Sequence, residues 1–272
     1  MQLELVVREA KEKAFTHPIL FVHGAWHGAW CWEENFIPHF VENGFDCYAF
    51  CMRGHGASEC EGPFHLSGVY DYVADLESVI RQIGTDPVLV GHSMGGLVVQ
   101  RYLETHRAPA AVLMASVPPR GIVRFVMRVA RRHPKTFIKY LATQNPRVAV
   151  ATPELVCDLF FSEDVPPEKL DKYFSKIGTE SARAAIEMMA LRLPRASRVR
   201  AWGTPVLVLG AADDVVFSPA EVKATARAYG VEAEIYDQMA HDMMLEAGWQ
   251  DVADRVIEWL RELELESKKV AE

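Results

Sequence analysis

A serine hydroxyl becomes a useful nucleophile only when a base takes its proton and a carboxylate holds that base in place. Ser93 sits in Gly91-His92-Ser93-Met94-Gly95, directly after the apolar run Pro87 to Val90 and directly before a segment with helical spacing, Gly95 to Glu104. Strand, sharp turn and helix in that order lift a hydroxyl clear of a sheet's C-terminal edge. The flanking glycines remove Cβ atoms that would collide there. The new helix also turns its positive end toward the same spot. As five letters G-x-S-x-G is a weak signal, and the strand before and helix after make it specific.

His241 is the only histidine after position 133, and it follows the short strand pattern Glu234 to Tyr236. It is the expected base. The strand pattern Pro205 to Leu209 ends just ahead of Asp213 and Asp214. Asp213, nearer the strand end, is expected to orient His241, with Asp214 as the alternative. Asp237 and Asp242 flank the histidine too closely in sequence for an easy side-chain approach. Attack on a carbonyl also needs two N–H groups aimed at the developing oxyanion. Met94, opening the helix after Ser93, is expected to give one, and Ala25 the other, because Gly24 lets the chain turn after Phe21-Val22-His23. His23 and His27 are four apart, yet Gly24 and the tryptophan-rich loop disfavour a helix and no third ligand is evident, so no metal is expected. His92 reads as a packing or locally hydrogen-bonded residue. Gly91 to Gly96 lacks the Lys-Ser or Lys-Thr of a phosphate loop. The chemistry calls for no cofactor.

Something must bring these groups together. Short apolar runs at Pro18 to Val22, Phe45 to Phe50, Pro87 to Val90, Ala110 to Ala115 and Pro205 to Leu209 read as strands buried on both faces. Helical spacing fills the gaps at Trp32 to Asn43, Tyr70 to Ile83, Gly95 to Glu104, Pro219 to Tyr229 and Trp249 to Leu263. The alternation predicts an α/β fold, a mostly parallel sheet flanked by helices, with QLELVVRE as an antiparallel edge strand. It stops after Ser116 and resumes near Thr204. The segment 117–202 is therefore expected to be an inserted helical cap over a core of 1–116 and 203–272. That segment holds 16 basic and 8 acidic residues, a local +8 that leaves −16 on the remainder.

The whole chain has 272 residues, half of them hydrophobic, a quarter charged and a net charge of −8. This excludes disordered and collagen-like classes and gives no reason to expect nucleic-acid binding. Five cysteines at no metal-ligand spacing read as free thiols in a reducing cytoplasm. The N-terminus has no secretory pattern, and no stretch approaches a membrane span.

The order Ser93, acid, His241 with a His-Gly loop upstream resembles the α/β-hydrolase superfamily over nearly the whole chain. Arg53-Gly54-His55-Gly56-Ala57-Ser58 matches its R-G-x-G-x-S loop, although Cys51-Met52 stand where many members carry an aspartate. The stretch V-H-G-A-W-H-G-A-W-C-W is most similar to the branch of plant methylesterases, hydroxynitrile lyases and bacterial esterases. The resemblance aligns Asp213 with the family's G-x-x-D. The lyases need a threonine after the loop histidine and a lysine after the catalytic one. Gly24 and Asp242 occupy those positions, so cyanohydrin cleavage is disfavoured for want of a cation at the leaving group. The resemblance implies a carboxylesterase for small to medium acyl esters, working through an acyl-enzyme. Lactone or C–C hydrolysis on the same triad, or small-molecule binding without turnover, stay open. A serine at the elbow disfavours epoxide cleavage.

Caps in this superfamily form the acyl pocket. Trp26, Phe125, Phe137, Leu141, Phe160 and Met188 are the candidate lining, drawn from an apolar set that also holds Leu159, Phe161, Phe174, Met189 and Leu191. Arg124, Arg128, Arg131, Arg132, Lys135 and Lys139 recur at helical steps among apolar residues. This basic amphipathic pattern reads as a solvated lid helix, or as a lid that rests weakly on anionic lipid or steers acidic substrates.

Overall fold

The computed structural model describes the backbone of residues 1–271 and the side chains of residues 1–263. Among them, β1 (Leu5–Arg8), β2 (Ile19–Val22), β3 (Cys47–Phe50), β4 (Val88–His92), β5 (Ala111–Met114), β6 (Val206–Ala211) and β7 (Ala233–Tyr236) form one seven-stranded sheet. Its order is β1-β3-β2-β4-β5-β6-β7, with β1 antiparallel to β3 and every other pairing parallel. β2, β4, β5 and β6 are buried at every residue, which is why their sequences run apolar without alternation. β6 runs two residues past the expected Leu209, to Ala211.

On the two faces lie α1 (Trp30–Glu33), α2 (Phe36–Glu42), α3 (Val69–Ile83) and α4 (Met94–Tyr102), each following its strand. The single helix expected over Trp32 to Asn43 is instead α1 and α2, broken at Glu34 and Asn35. A continuous helix would drive the Pro38 ring into the Glu34 carbonyl, four residues back. Restarting at Phe36 places Pro38 in the first turn, where no N–H is missed.

Between β5 and β6 the described chain forms helices and no strand: α5 (Val123–Arg132), α6 (Pro134–Thr143), α7 (Pro153–Phe160), α8 (Pro167–Lys176), α9 (Ala182–Ile186) and α10 (Ala196–Trp202). This segment sits on the sheet's C-terminal edge. Gly178 N–H donates to the Trp26 carbonyl at 2.7 Å, and Asp242 N–H to the Phe160 carbonyl at 2.9 Å. α11 (Pro219–Tyr229) opens with Pro219 in its first turn and a reciprocal Ser218–Glu221 capping box, and α12 (Trp249–Ala271) ends the fold. The large fully buried side chains, among them Trp32, Phe21, Phe36 and Phe40, pack where α1 and α2 meet β2. Among the described residues no helix is long and apolar enough to cross a membrane, and all five cysteines are free thiols.

Candidate active site

β4 passes into α4 through one residue, and that residue is Ser93. Its backbone stands at φ 53 and ψ −116, the left-handed side of the map, which costs a non-glycine residue roughly 1–3 kcal/mol. The neighbours hold it there. Ser93 N–H donates to the Met114 carbonyl at 3.1 Å, and the Ser93 carbonyl accepts from Val117 N–H at 3.2 Å. The turn closes only because Gly95 lacks a side chain: a Cβ there would lie 2.2 Å from the Val22 carbonyl oxygen. Gly24 meets the elbow from the other side, where a Cβ would fall 3.1 Å from that of Ser93. Ser93 is 8 % exposed, and nothing among the described residues engages its hydroxyl.

His241 arrives from the loop after β7, where Gln238 turns the chain at φ 54. Its ring is buried between Phe160 and Phe217, with centroids at 5.9 and 5.6 Å, and lies 4.7 Å from the His92 ring. His92 Nε2–H donates to the His241 carbonyl at 3.0 Å, so the residue before the serine positions the backbone of the histidine. Burial, then the nearby His241, pushes His92 down to about 3, so it stays neutral.

His241 Nδ1–H donates to a carboxylate at 2.9 Å, and that carboxylate belongs to Asp214. The expected orienting residue, Asp213, is corrected by one position. β6 continues to Ala211, after which Ala212 N–H pairs with the Tyr236 carbonyl and Asp213 N–H with that of Met239. Ala212 and Asp213 form a turn, and Asp213 faces outward into an acidic crevice shared with Asp158, Glu163 and Asp164, while Asp214 faces the site. Asp214 is 5 % exposed, and its second oxygen accepts Val216 N–H at 2.6 Å and Phe217 N–H at 2.9 Å. With Nδ1 committed, the lone pair of His241 lies on Nε2. No hydrogen bond joins Ser93 to His241 among the described residues, an arrangement common before substrate arrives.

Met94 N–H, at the first position of α4, has no partner within the helix, and Ala25 N–H likewise has none among the described residues. The two expected oxyanion donors are thus free. After Ala25 the chain is strained again, with Trp26 at φ 63.

A buried pair that the sequence did not announce bridges the two halves of the site. His27 Nδ1–H donates to the Ala25 carbonyl and Nε2–H to Asp242, both at 2.8 Å. Both ring nitrogens face acceptors, so His27 is doubly protonated. Burial alone would lower its pKa, and the Asp242 carboxylate outweighs that and raises it. Asp242, which burial would raise, is held below its ordinary range by His27. The partners lie 215 positions apart, and no local spacing could reveal them. His23 is neutral, with Nδ1–H on the Gly24 carbonyl and Nε2 accepting from Met52 N–H; burial lowers its pKa, and His55 adds to the effect.

His92, His241 and Asp242 bring one ligand atom each within 4.8 Å of one another. Each histidine already spends one ring nitrogen within the protein, His92 Nε2 on the His241 carbonyl and His241 Nδ1 on Asp214. The group fits proton transfer better than ligation.

A cavity of about 620 Å³, its open mouth included, runs from Ala25 and Trp26 under the helical segment. Trp26, Phe125, Phe137 and Met188 line it as expected from sequence, with Ile122, Val126 and Met189 beside them. Two expected lining residues lie elsewhere. Leu141 points outward from α6 at 53 % exposure, and Phe160 packs on the His241 and Trp26 rings. Glu180 is the one carboxylate in the wall. It is buried and accepts from Tyr72 Oη–H at 2.7 Å and Ser181 N–H at 2.6 Å, with His55 Nε2 at 3.1 Å.

The chain is similar to several known proteins. It is 38 % identical over 113 residues to a non-heme haloperoxidase of Rhodococcus erythropolis, covering 40 % of each chain. It is 34 % identical over 82 residues to methylesterase 18 of Arabidopsis thaliana, covering 29 % of this chain and 30 % of that one. These matches span less than half the length of either relative. A solved thermophilic esterase from Thermogutta terrifontis superposes with a TM-score of 0.71 at 23 % identity, over 96 % of this chain and 94 % of that one. A family model described as the alpha/beta hydrolase family matches residues 19–255, so the chain belongs to that family.

Proposed function

We propose that the protein is a serine carboxylesterase, hydrolysing small to medium acyl esters through an acyl-enzyme. The observation that carries this is the His241–Asp214 pair: it fixes the imidazole with Nε2 as lone pair, at the edge where β4 delivers Ser93 on a strained turn. Ser93 Oγ attacks the ester carbonyl carbon while His241 Nε2 takes the hydroxyl proton. Asp214 stabilises the resulting imidazolium, and Met94 and Ala25 N–H receive the oxyanion. Collapse expels the alcohol, which takes the proton from His241, and leaves the acyl group on Ser93. Water, deprotonated by the same nitrogen, attacks the acyl carbon, and collapse releases the acid as His241 returns the proton to Ser93 Oγ. Residues 117–202 act as the cap, and the apolar walls beneath them suit the acyl chain. Asp242, beside His241, is already committed to His27 and offers no cation to a departing cyanide, which weighs against a lyase.

Ser93→Ala tests this. It is expected to lose p-nitrophenyl ester turnover by about 10⁴-fold or more while its circular dichroism and unfolding midpoint stay close to those of the parent. Undiminished turnover would overturn the reading. The halogenating activities named for some relatives would require peroxide and halide, and an assay supplying both beside the ester series separates the two chemistries.

A further inference from the structure

From residue 105 to residue 153 the chain holds no aspartate or glutamate, although it carries 37 acidic residues in all. Within that stretch α5 and α6 form a hairpin whose inner faces supply Phe125, Val126, Val129, Phe137 and Tyr140 to the cavity wall. The outer faces are neither core nor an ordinary solvated surface. Val123 is 44 % exposed, Met127 47 %, Ile138 66 % and Leu141 53 %. Arg124, Arg131, Lys135 and Lys139 alternate with them, all exposed and without an ion-pair partner among the described residues. Other cations of the hairpin are paired: Arg128 with Glu221 and the Val215 carbonyl, and Arg132 with Asp158.

A solvated helix face ordinarily mixes charges of both signs and exposes few large apolar groups. Here cations at three- and four-residue steps repel one another with no acid between them. The arrangement relaxes against a negatively charged partner that also accepts apolar side chains. We propose that the outer face of α5 and α6 docks on an anionic lipid bilayer. The four cations would lie among the headgroup phosphates, and Val123, Met127, Ile138 and Leu141 would enter the acyl boundary beneath them. The apolar groups are interspersed singly among the cations instead of gathered into a seam, which suits a fluid headgroup layer better than the shaped pockets of a folded acidic protein. Charge sets the orientation. The helical segment 117–202 carries the local +8, and the remainder of the chain, at −16, would be repelled from the same surface. Docking places the cavity wall against the lipid, where esters of amphiphilic alcohols or acids partition.

The test reads binding without any ester, so it stands apart from the proposed hydrolysis. The protein is sedimented with vesicles of phosphatidylcholine alone and of phosphatidylcholine with phosphatidylglycerol. The parent is expected to pellet with the anionic vesicles only, and to be released as salt is raised. Replacing Arg124, Arg131, Lys135 and Lys139 together by glutamate is expected to weaken binding by about a hundredfold or more, with turnover of a soluble short-chain ester unchanged. Met127→Ser with Ile138→Ser and Leu141→Ser is expected to weaken it even with every charge kept. A parent that leaves both vesicle types in the supernatant would overturn the proposal. So would a charge-reversed protein that still pellets, or a parent retained by a soluble polyanion but not by anionic vesicles.

Discussion

The two adjacent carboxylates after β6 differ more than their sequence suggests. Asp214 is buried, accepts two backbone N–H groups and faces His241, and Asp213 is exposed in the crevice on the other side. Asp214→Asn should leave the fold intact and lower kcat by about 10⁴-fold, because an amide cannot hold the tautomer or balance the imidazolium. Asp213→Asn should change kcat less than about twofold, since surface changes of this kind are close to neutral. A kcat loss of similar size in Asp213→Asn, with Asp214→Asn fully active, would return the role to the residue expected from sequence. The hidden end of β6 and the turn after it explain why that expectation missed. The apolar run that marks β6 ends at Leu209, and the two further residues of strand are Gly210 and Ala211, small residues that carry no β signal. The turn at Ala212 and Asp213 that follows, which no apolar pattern marks, brings Asp214 and not Asp213 to His241.

At the scale of elements, the site is a meeting of three loops at one sheet edge. His92, the last residue of β4, ties that strand's end to the His241 carbonyl, and His27 ties the loop after β2 to Asp242. Removing one member of a buried ion pair leaves the other uncompensated, so Asp242→Asn should destabilise the protein by about 3–5 kcal/mol. The deficit should depend on pH. The folded pKa of His27 lies above its ordinary 6.5, so its contribution is full below that value and fades as pH rises through the raised one. The folded pKa of Asp242 lies below 3.8, so its contribution is full above 3.8 and fades as pH falls through the lowered one. Denaturant titrations of parent and variant should therefore differ most between about pH 4 and 6.5 and converge on either side. A pH-independent difference would contradict the pairing. The cavity gives a further test. Met188→Trp should lower kcat/KM for octanoate esters by about tenfold or more while sparing acetate, because the added indole fills space that only the longer chain needs. Equal losses on both esters would place the acyl chain elsewhere.

For the molecule as a whole, the parallel sheet, its edge strand and the elbow were legible because they rest on local patterns: unbroken apolar runs, one alternating segment and glycines at fixed offsets. Phe125, Phe137 and Met188 were legible as cavity wall because large apolar residues in a helical insertion must cover something, and Trp26 because it stands in the loop just past β2, at the same sheet edge. Contacts between distant stretches were not. Nothing near His27 marks Asp242 as its partner, and nothing near His55 marks Glu180. Leu141 was misplaced because an amphipathic stripe says that a helix has an inner face, not which apolar residues stay outside it. The charge division, by contrast, is a plain property of the sequence, and folding places four of its unpaired cations, Arg124, Arg131, Lys135 and Lys139, on the outer face of α5 and α6.

The central claim, that Ser93 is the nucleophile and His241 its base, is tested most directly by labelling the intact protein with a fluorophosphonate and mapping the adduct by tandem mass spectrometry. The phosphonyl group should appear on Ser93 alone, with loss of ester turnover in step with labelling, and His241→Ala should label more slowly by about 10³-fold or more. Full ester turnover by protein whose Ser93 is completely modified, or an adduct on another residue that accounts for the lost activity, would contradict it.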